Sequence, residues 1–235
     1  MKTRHGRIST TVIGALCGIM VLLAAGTGES GSGDYGKFAA EWWKWVYSIP
    51  CTAALCPNPV FDTTGGYGAV GQHGEVWFLA GTFGGTVTRN VSIPEGLQIF
   101  FPVVNNAFFN SPNTCGQGPE SLSVEEGRAA IKPFIDGAIN LSATLDGKPL
   151  KIVREQSVVF GVALPKDNLF DFLGFPCTPG IYSPAVDDGY YVLLKKLEAG
   201  SHRVHIHAEI PADDPANNFV TDVTYNLTVV PLHLK

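Results

Sequence analysis

Residues 203–210, Arg-Val-His-Ile-His-Ala-Glu-Ile, alternate polar and apolar without a break. A strand throws successive side chains to opposite faces. Arg203, His205, His207 and Glu209 therefore share one face, and Val204, Ile206, Ala208 and Ile210 the other. A second alternating stretch, Phe219–Val230, follows across a short polar loop. Pairing Ile210 with Phe219 sets His207 opposite Asp222, His205 opposite Thr224 and Arg203 opposite Asn226. The same register groups Val223, Tyr225, Leu227 and Val229 with Val204 and Ile206. A slip of one residue would turn one apolar set to the wrong side. This hairpin constrains the fold more than any other segment.

The rest of the chain from residue 75 has a similar character. Glu75–Ala80, Thr86–Ile93, Leu97–Val104, Ile139–Leu145, Leu150–Arg154, Val158–Leu164 and Tyr190–Leu197 all read as strands. Asp146-Gly147 between two apolar runs signals a tight hairpin turn. Ser123 and Glu126 have the spacing of a capping box, which opens a helix over Val124–Asp136 with Pro133 in its last turn. Near the N-terminus, Tyr35–Ser48 reads as an amphipathic helix with Asp34 as its N-cap. Its tryptophans Trp42, Trp43 and Trp45 form a wide apolar face suited to docking on a sheet. Strands and helices do not alternate in the doubly wound manner. The expected fold is mainly β, an antiparallel β-sandwich or jelly roll with an N-terminal amphipathic helix and one further helix.

Lys2, Arg4 and Arg7 precede an apolar run over Val12–Ala25, which ends in small residues. That is the pattern of an export signal over residues 1–26, and the run is short for a membrane span. Residues 27–34 are Gly/Ser-rich and read as a flexible linker. Residues 35–235 then make one domain, with no membrane span once the signal is cleaved. The expected location is periplasmic or extracellular. The formal charge of the 235 residues is −5, and loss of the three N-terminal cations makes it more negative still. An acidic chain without a basic cluster is a poor nucleic-acid ligand. Cys51, Cys56, Cys115 and Cys177 remain after export, an even number that favours disulfides. Their spacing allows three pairings.

The His-x-His strand is the one local spacing that suits a transition metal. His205 and His207 with Asp222 or Glu209 could hold zinc or copper, zinc activating water and copper implying redox work. The opposing reading is a solvated sheet face. The apolar Tyr190 strand just upstream argues for a cover over the polar side. Asp187-Asp188-Gly189 and Asp213-Asp214 with Asn217 and Asn218 offer oxygen ligands for a structural calcium, although ordinary turns have the same composition. Aromatics in the segment 166–188, Phe170, Phe172 and Tyr182, would supply a stacking surface.

The motifs Trp42-Trp43-Lys-Trp45, Gln72-His-Gly74-Glu-Val-Trp77-Phe-Leu-Ala-Gly81 and Ile99-Phe-Phe-Pro102-Val-Val-Asn105 are shared features of a resemblance. The chain resembles an uncharacterised family of exported bacterial β-rich proteins, which brings no activity with it. The resemblance implies cysteines near Gly68 and Val91 that are absent here. The expected role is binding or structural at the cell envelope, with a carbohydrate or an envelope protein as partner. The alternative is a metal-dependent hydrolase or oxidoreductase on the His-x-His strand.

Overall fold

The computed structural model describes residues 32–231. The expected signal and most of the linker lie outside the described residues. Among the described residues, three helices and ten strands make a mainly β structure with two sheets. Helix α1 spans Ser32–Ser48, α2 Val124–Asp136 and α3 Leu169–Phe172. The strands are β1 (Val76–Phe78), β2 (Gly85–Pro94), β3 (Gln98–Phe109), β4 (Ile139–Leu145), β5 (Lys148–Pro149), β6 (Val153–Gln156), β7 (Phe160–Leu164), β8 (Gly180–Leu194), β9 (Gly200–Ile210) and β10 (Phe219–Val230).

The first sheet runs β1-β3-β8-β6, with β7 also paired to β8, and the second runs β2-β10-β9-β4-β5. The β9–β10 register has Ile210 against Phe219, His207 against Asp222, His205 against Thr224 and Arg203 against Asn226, as the alternation requires. The Asp146-Gly147 turn joins β4 to β5 with both residues at positive φ, the signature of a type I′ hairpin. The sheets are not wholly antiparallel. β1 pairs parallel with β3, and β2 pairs parallel with β10. The cause is the route of the chain, since β1 and β3 flank a strand that belongs to the other sheet.

The apolar faces decide the layering. Val204, Ile206, Val223, Tyr225 and Leu227 of the second sheet share one core cluster with Trp77, Ile99, Phe101, Val192 and Leu194 of the first. The reverse side of the first sheet carries Phe78, Phe100 and Tyr191, and α1 covers it with Trp42, Trp43 and Trp45. Large apolar side chains buried in this way are worth about 1.5–3 kcal/mol each. The tryptophan-rich helix is thus an outer layer with its aromatic face turned inward, all three indoles being buried.

Several expectations need correction. Helix α1 begins at Ser32, so Asp34 lies in its first turn, where a carboxylate favours the helix dipole, and residues 32–34 are not linker. A third helix, α3, is capped by the Asn168 side chain accepting from Phe170 N and Asp171 N. The capping box of α2 forms as expected. β3 continues to Phe109 and β8 starts at Gly180, so both reach well into stretches expected to be loops. Asp187 and Asp188 sit inside β8, buried, and not in a turn. They point to opposite faces of the sheet, and Asp188 is held by Arg154 at 2.8 Å.

Disulfides join Cys51 to Cys56 and Cys115 to Cys177. The second ties the segment after β3 to the segment before β8. Gly68 lies against Val91, where a Cβ would come within 2.8 Å of the valine side chain. The two places where the family resemblance implies cysteines are therefore neighbours in space. No described helix is long and apolar enough to cross a membrane.

Candidate functional site

A cleft of about 250 Å³ opens where the first sheet loses a strand pairing. β1 pairs with β3 only as far as Phe100, and Leu79 N donates to Phe100 O at 3.1 Å as the last link. The chain then swings away from β3 toward the second sheet. Ala80 N donates to the Tyr225 hydroxyl at 3.0 Å, and that hydroxyl donates to Ala80 O at 2.7 Å. Buried Arg89 fixes the turn from below. Its Nη1 donates to Ala80 O at 2.7 Å, Gly81 O at 3.0 Å and Tyr225 Oη at 2.6 Å, and its Nε donates to Asp62 O at 2.6 Å. Every one of these acceptors is a neutral oxygen, so the guanidinium works as a multi-pronged clamp.

The divergence leaves space beside the continuing β3. Trp42, Trp43 and Val46 of α1 line one side, and Gly81, Thr82 and Phe83 another. Phe134 and Phe219 close it, and Asn105 and Asn106 line it from β3. The walls are aromatic and the floor has a few polar groups, which is the usual make-up of a small-molecule site.

Directly behind Trp43 lies Asp187, with no exposed surface. Trp43 Nε1 donates to its Oδ2 at 2.6 Å, and the Tyr191 hydroxyl donates to its Oδ1 at 2.5 Å. Ser157 Oγ accepts no part of this carboxyl and instead takes the Asp187 backbone N–H as its partner, at 2.8 Å. Burial pushes the Asp187 carboxyl up to about 7, against the opposing pull of the two donors. Burial also raises the Tyr47 and Tyr191 hydroxyls, with the Asp187 charge adding to both. On the reverse face, Asp188 and Asp136 hold Arg154, whose guanidinium is bound still more firmly in its charged form.

Asn105 connects this buried acid to the cleft. Its amide lies beside the Tyr191 hydroxyl and lowers the pKa of that group. Its Nδ2 is buried yet completes no hydrogen bond of ordinary geometry. A Cβ on Gly189 would strike both Asn105 and Tyr191 within 2.8 Å, so glycine there lets the two approach. An unsatisfied buried amide nitrogen costs about 1–3 kcal/mol, so it is a feature that needs a reason.

The histidine strand lies elsewhere, on the outer face of the second sheet. His205 Nε2 is 2.9 Å from Asp222 Oδ1, and His207 Nε2 is 3.0 Å from Glu209 Oε1. The other Asp222 oxygen is 3.7 Å from His207 Nδ1. The four residues thus come together as two hydrogen-bonded couples. Among the described residues, no group of three or more His, Cys, Asp or Glu is arranged to hold a metal ion. Arg203, His205, Thr144 and Thr224 border a shallow polar depression rather than a covered pocket. The double burial of the Tyr190 strand has a different cause from the one expected. β8 belongs to the first sheet, covered by α1 on one side and by the second sheet on the other. It places nothing over the histidines. His202 is paired with Asp146 at 2.9 Å, which raises its pKa.

The three aromatics of the 166–188 segment do not share one surface. Phe170 packs between Tyr47 and Phe109, with ring centres 5.4 and 5.3 Å away. Tyr182 donates its hydroxyl to Thr178 O at 2.6 Å. Phe172 is partly exposed and meets Phe61, which in turn stacks on Phe83 at the cleft mouth. Asp213 and Asp214 lie in an exposed loop, where Asp214 caps a single 3₁₀ turn.

Arg89, Asn105 and Tyr191, which line or support the cleft, were not foreseen as site residues, and Asp187 was foreseen only as an oxygen ligand for calcium. Asp187 and Asp188 next to a glycine have the composition of a turn. The signal that could have revealed them is the unbroken apolar character on both sides, Ala185-Val186 before and Tyr190-Tyr191 after. No protein-family model, no curated protein and no solved structure matches the chain.

Proposed function

We propose that this chain is an exported β-sandwich binding protein that takes one saccharide unit of a glycan into the Trp42–Asn105 cleft. The cleft itself carries this reading. It combines aromatic walls from Trp42, Trp43 and Phe83 with Asn105 and Asn106 of β3. A sugar ring has apolar C–H faces that suit aromatic walls and hydroxyls that suit planar amides. The two disulfides and the N-terminal signal pattern support an oxidising, exported setting. The layering of two sheets around one shared core supports the sandwich assignment.

Purified, folded protein applied to a glycan array tests the reading, with tryptophan emission followed during titration of each hit. Trp42 and Trp43 line the cleft, so occupancy is expected to shift emission, and Asn106→Leu is expected to weaken binding at least tenfold, the cost of an unpaired ligand hydroxyl. A blank array together with unchanged emission, in protein whose near-ultraviolet dichroism shows native packing, would overturn it.

A further inference from the structure

We propose that Asn105 selects an N-acylated amino sugar as the saccharide unit of the cleft, using its main-chain N–H and C=O, which are left free at the edge of β3. The inference rests on the saccharide reading above and deepens it, because it names the substituent that the cleft recognises.

The free edge follows from the hydrogen-bond pattern of the sheet. Gln98 N donates to Glu75 O, and Phe100 O accepts from Leu79 N, so residues 98 and 100 turn their main-chain groups toward β1. The next residue on that edge is Pro102. It has no N–H to give a neighbouring strand, and the register with β8 shifts just beyond it. Past the shift, Ala107 opposes Asp187 and Asn105 opposes Gly189. Asp187 turns both main-chain groups the other way. Its N–H donates to Ser157 Oγ at 2.8 Å, and its C=O accepts from Ser157 N at 3.0 Å. Opposed residues of an antiparallel pair exchange both bonds or neither. Ala107 therefore turns away from β8, and by alternation so does Asn105. At the end of the strand Asn110 N donates to Pro184 O at 2.9 Å, which fixes the same alternation independently. Among the described residues, no strand or loop backbone takes up the Asn105 N–H and C=O.

The cleft lies on this edge. Asn105 and Asn106 both line it, although their side chains leave opposite faces of the strand. A cavity over one face would meet alternate residues, whereas one that meets two in succession sits beside the strand. It occupies the place that β1 would fill if it continued along β3. A strand there would satisfy Asn105 with the atom sequence H–N–C–C–O of one opposed residue, the N–H donating to Asn105 O and the oxygen accepting from Asn105 N. An amino sugar acylated on nitrogen carries the same sequence, from its amide across two ring carbons to the neighbouring hydroxyl oxygen. Among the described residues, no charged side chain lines the cleft, so a free ammonium group would lose its hydration with no countercharge in exchange. Acylation removes that charge and keeps one N–H. The acyl methyl group suits the indoles of Trp42 and Trp43.

Hydrogen exchange and titration on the full chain test the proposal. In the free protein, the Asn105 N–H is expected to exchange much faster than the Asn106 N–H, which β8 takes up. Equal rates or the reverse order would overturn the proposal with no ligand involved. Methyl glycosides of N-acetylglucosamine and N-acetylgalactosamine are then titrated beside those of glucose and galactose, with tryptophan emission as the readout. At least one acetamido sugar is expected to bind about tenfold or more tighter than its hydroxyl counterpart. Its N-methylated acetamide is expected to lose that gain, because the donor to Asn105 O is gone. Saturation with the acetamido sugar is expected to slow exchange at the Asn105 N–H. Equal affinity for acetamido and hydroxyl sugars, or an Asn105 rate unmoved at saturation, overturns the proposal and leaves the saccharide reading standing. Silent emission with every sugar, together with a blank glycan array, overturns both.

Discussion

Trp43 Nε1 donates to Asp187 Oδ2 at 2.6 Å, bringing together residues 144 apart in the chain. The bond pins α1 to the sheet at a fully buried acid that no cationic side chain neutralises by a direct hydrogen bond among the described residues. Burial is the largest influence on that acid and lifts it from the ordinary 3.8 to about 7.

This displacement makes stability depend on pH in a definite direction. A carboxyl raised in the folded state contributes its full stability below its unfolded pKa. The contribution is lost as pH rises through the folded value. The loss therefore develops between about pH 4 and 7 and is on the order of 4 kcal/mol at most. His202, raised by Asp146, adds a loss of the same sign near neutrality. Asp187→Asn imitates the neutral acid and removes only the first effect. Urea unfolding should show the variant close to wild type at pH 4 and more stable at pH 8. Equal stabilities at pH 8 would mean that the carboxylate is not penalised by its burial.

Arg89 is expected to govern the cleft wall. Substitution by methionine keeps the length of the side chain and strands Asp62 O, Ala80 O, Gly81 O and the Tyr225 hydroxyl, each of which loses a donor. Several half-satisfied buried oxygens together should cost about 3–5 kcal/mol. Arg89→Lys should recover only part of this, because an ammonium lacks the planar fork that reaches both Asp62 and Gly81. Denaturation midpoints measure the cost. Hydrogen exchange at Leu79 and Ala80 should accelerate in the methionine variant by more than exchange in β9.

The contrast between the hairpin and the cleft shows what a sequence can reveal. Alternation over 203–210 and 219–230 specifies register because one wrong step would expose Val204 and Ile206. The structure pairs the strands in that register. The capping box at Ser123 is equally local and equally legible. Other features depend on partners distant in sequence. Asp187 lies inside a strand because Trp43 and Tyr191 satisfy it, and nothing near it in the chain announces Trp43. The parallel pairing of β1 with β3 arises because β2 crosses to the other sheet, a choice that periodicity does not encode. α3 has four residues, too few to display a helical repeat. The histidine row was legible as a row, whereas what covers it depended on which sheet holds Tyr190.

The two disulfides should differ in weight. Cys115–Cys177 closes 62 residues and Cys51–Cys56 closes five. Loop-closure entropy assigns about 4 kcal/mol to the longer link and about 2 kcal/mol to the shorter. Replacing each pair by alanine and comparing thermal unfolding checks the order. A larger loss from the short loop would show that Cys51–Cys56 acts through the native state, where Cys51 N is bonded to Asp167 O at 2.6 Å.

Gly127 offers a test in which two effects oppose each other. Alanine in the interior of α2 gains about 1 kcal/mol of helix propensity over glycine. A Cβ at this position would lie 2.4 Å from Phe108 Cδ1 and 3.2 Å from Val186 Cγ2. Gly127 is buried, so the helix lies against β3 and β8 at this point. Overpacking a tight contact costs typically 1–3 kcal/mol, and the phenylalanine ring must move for the methyl group to fit. Packing should win, leaving Gly127→Ala destabilised by about 1–2 kcal/mol in urea unfolding. The companion variant Gly127→Ala with Phe108→Leu removes the clashing ring and should regain much of the loss. If the single variant were more stable than wild type, the close approach of α2 to β3 would not be required by the fold.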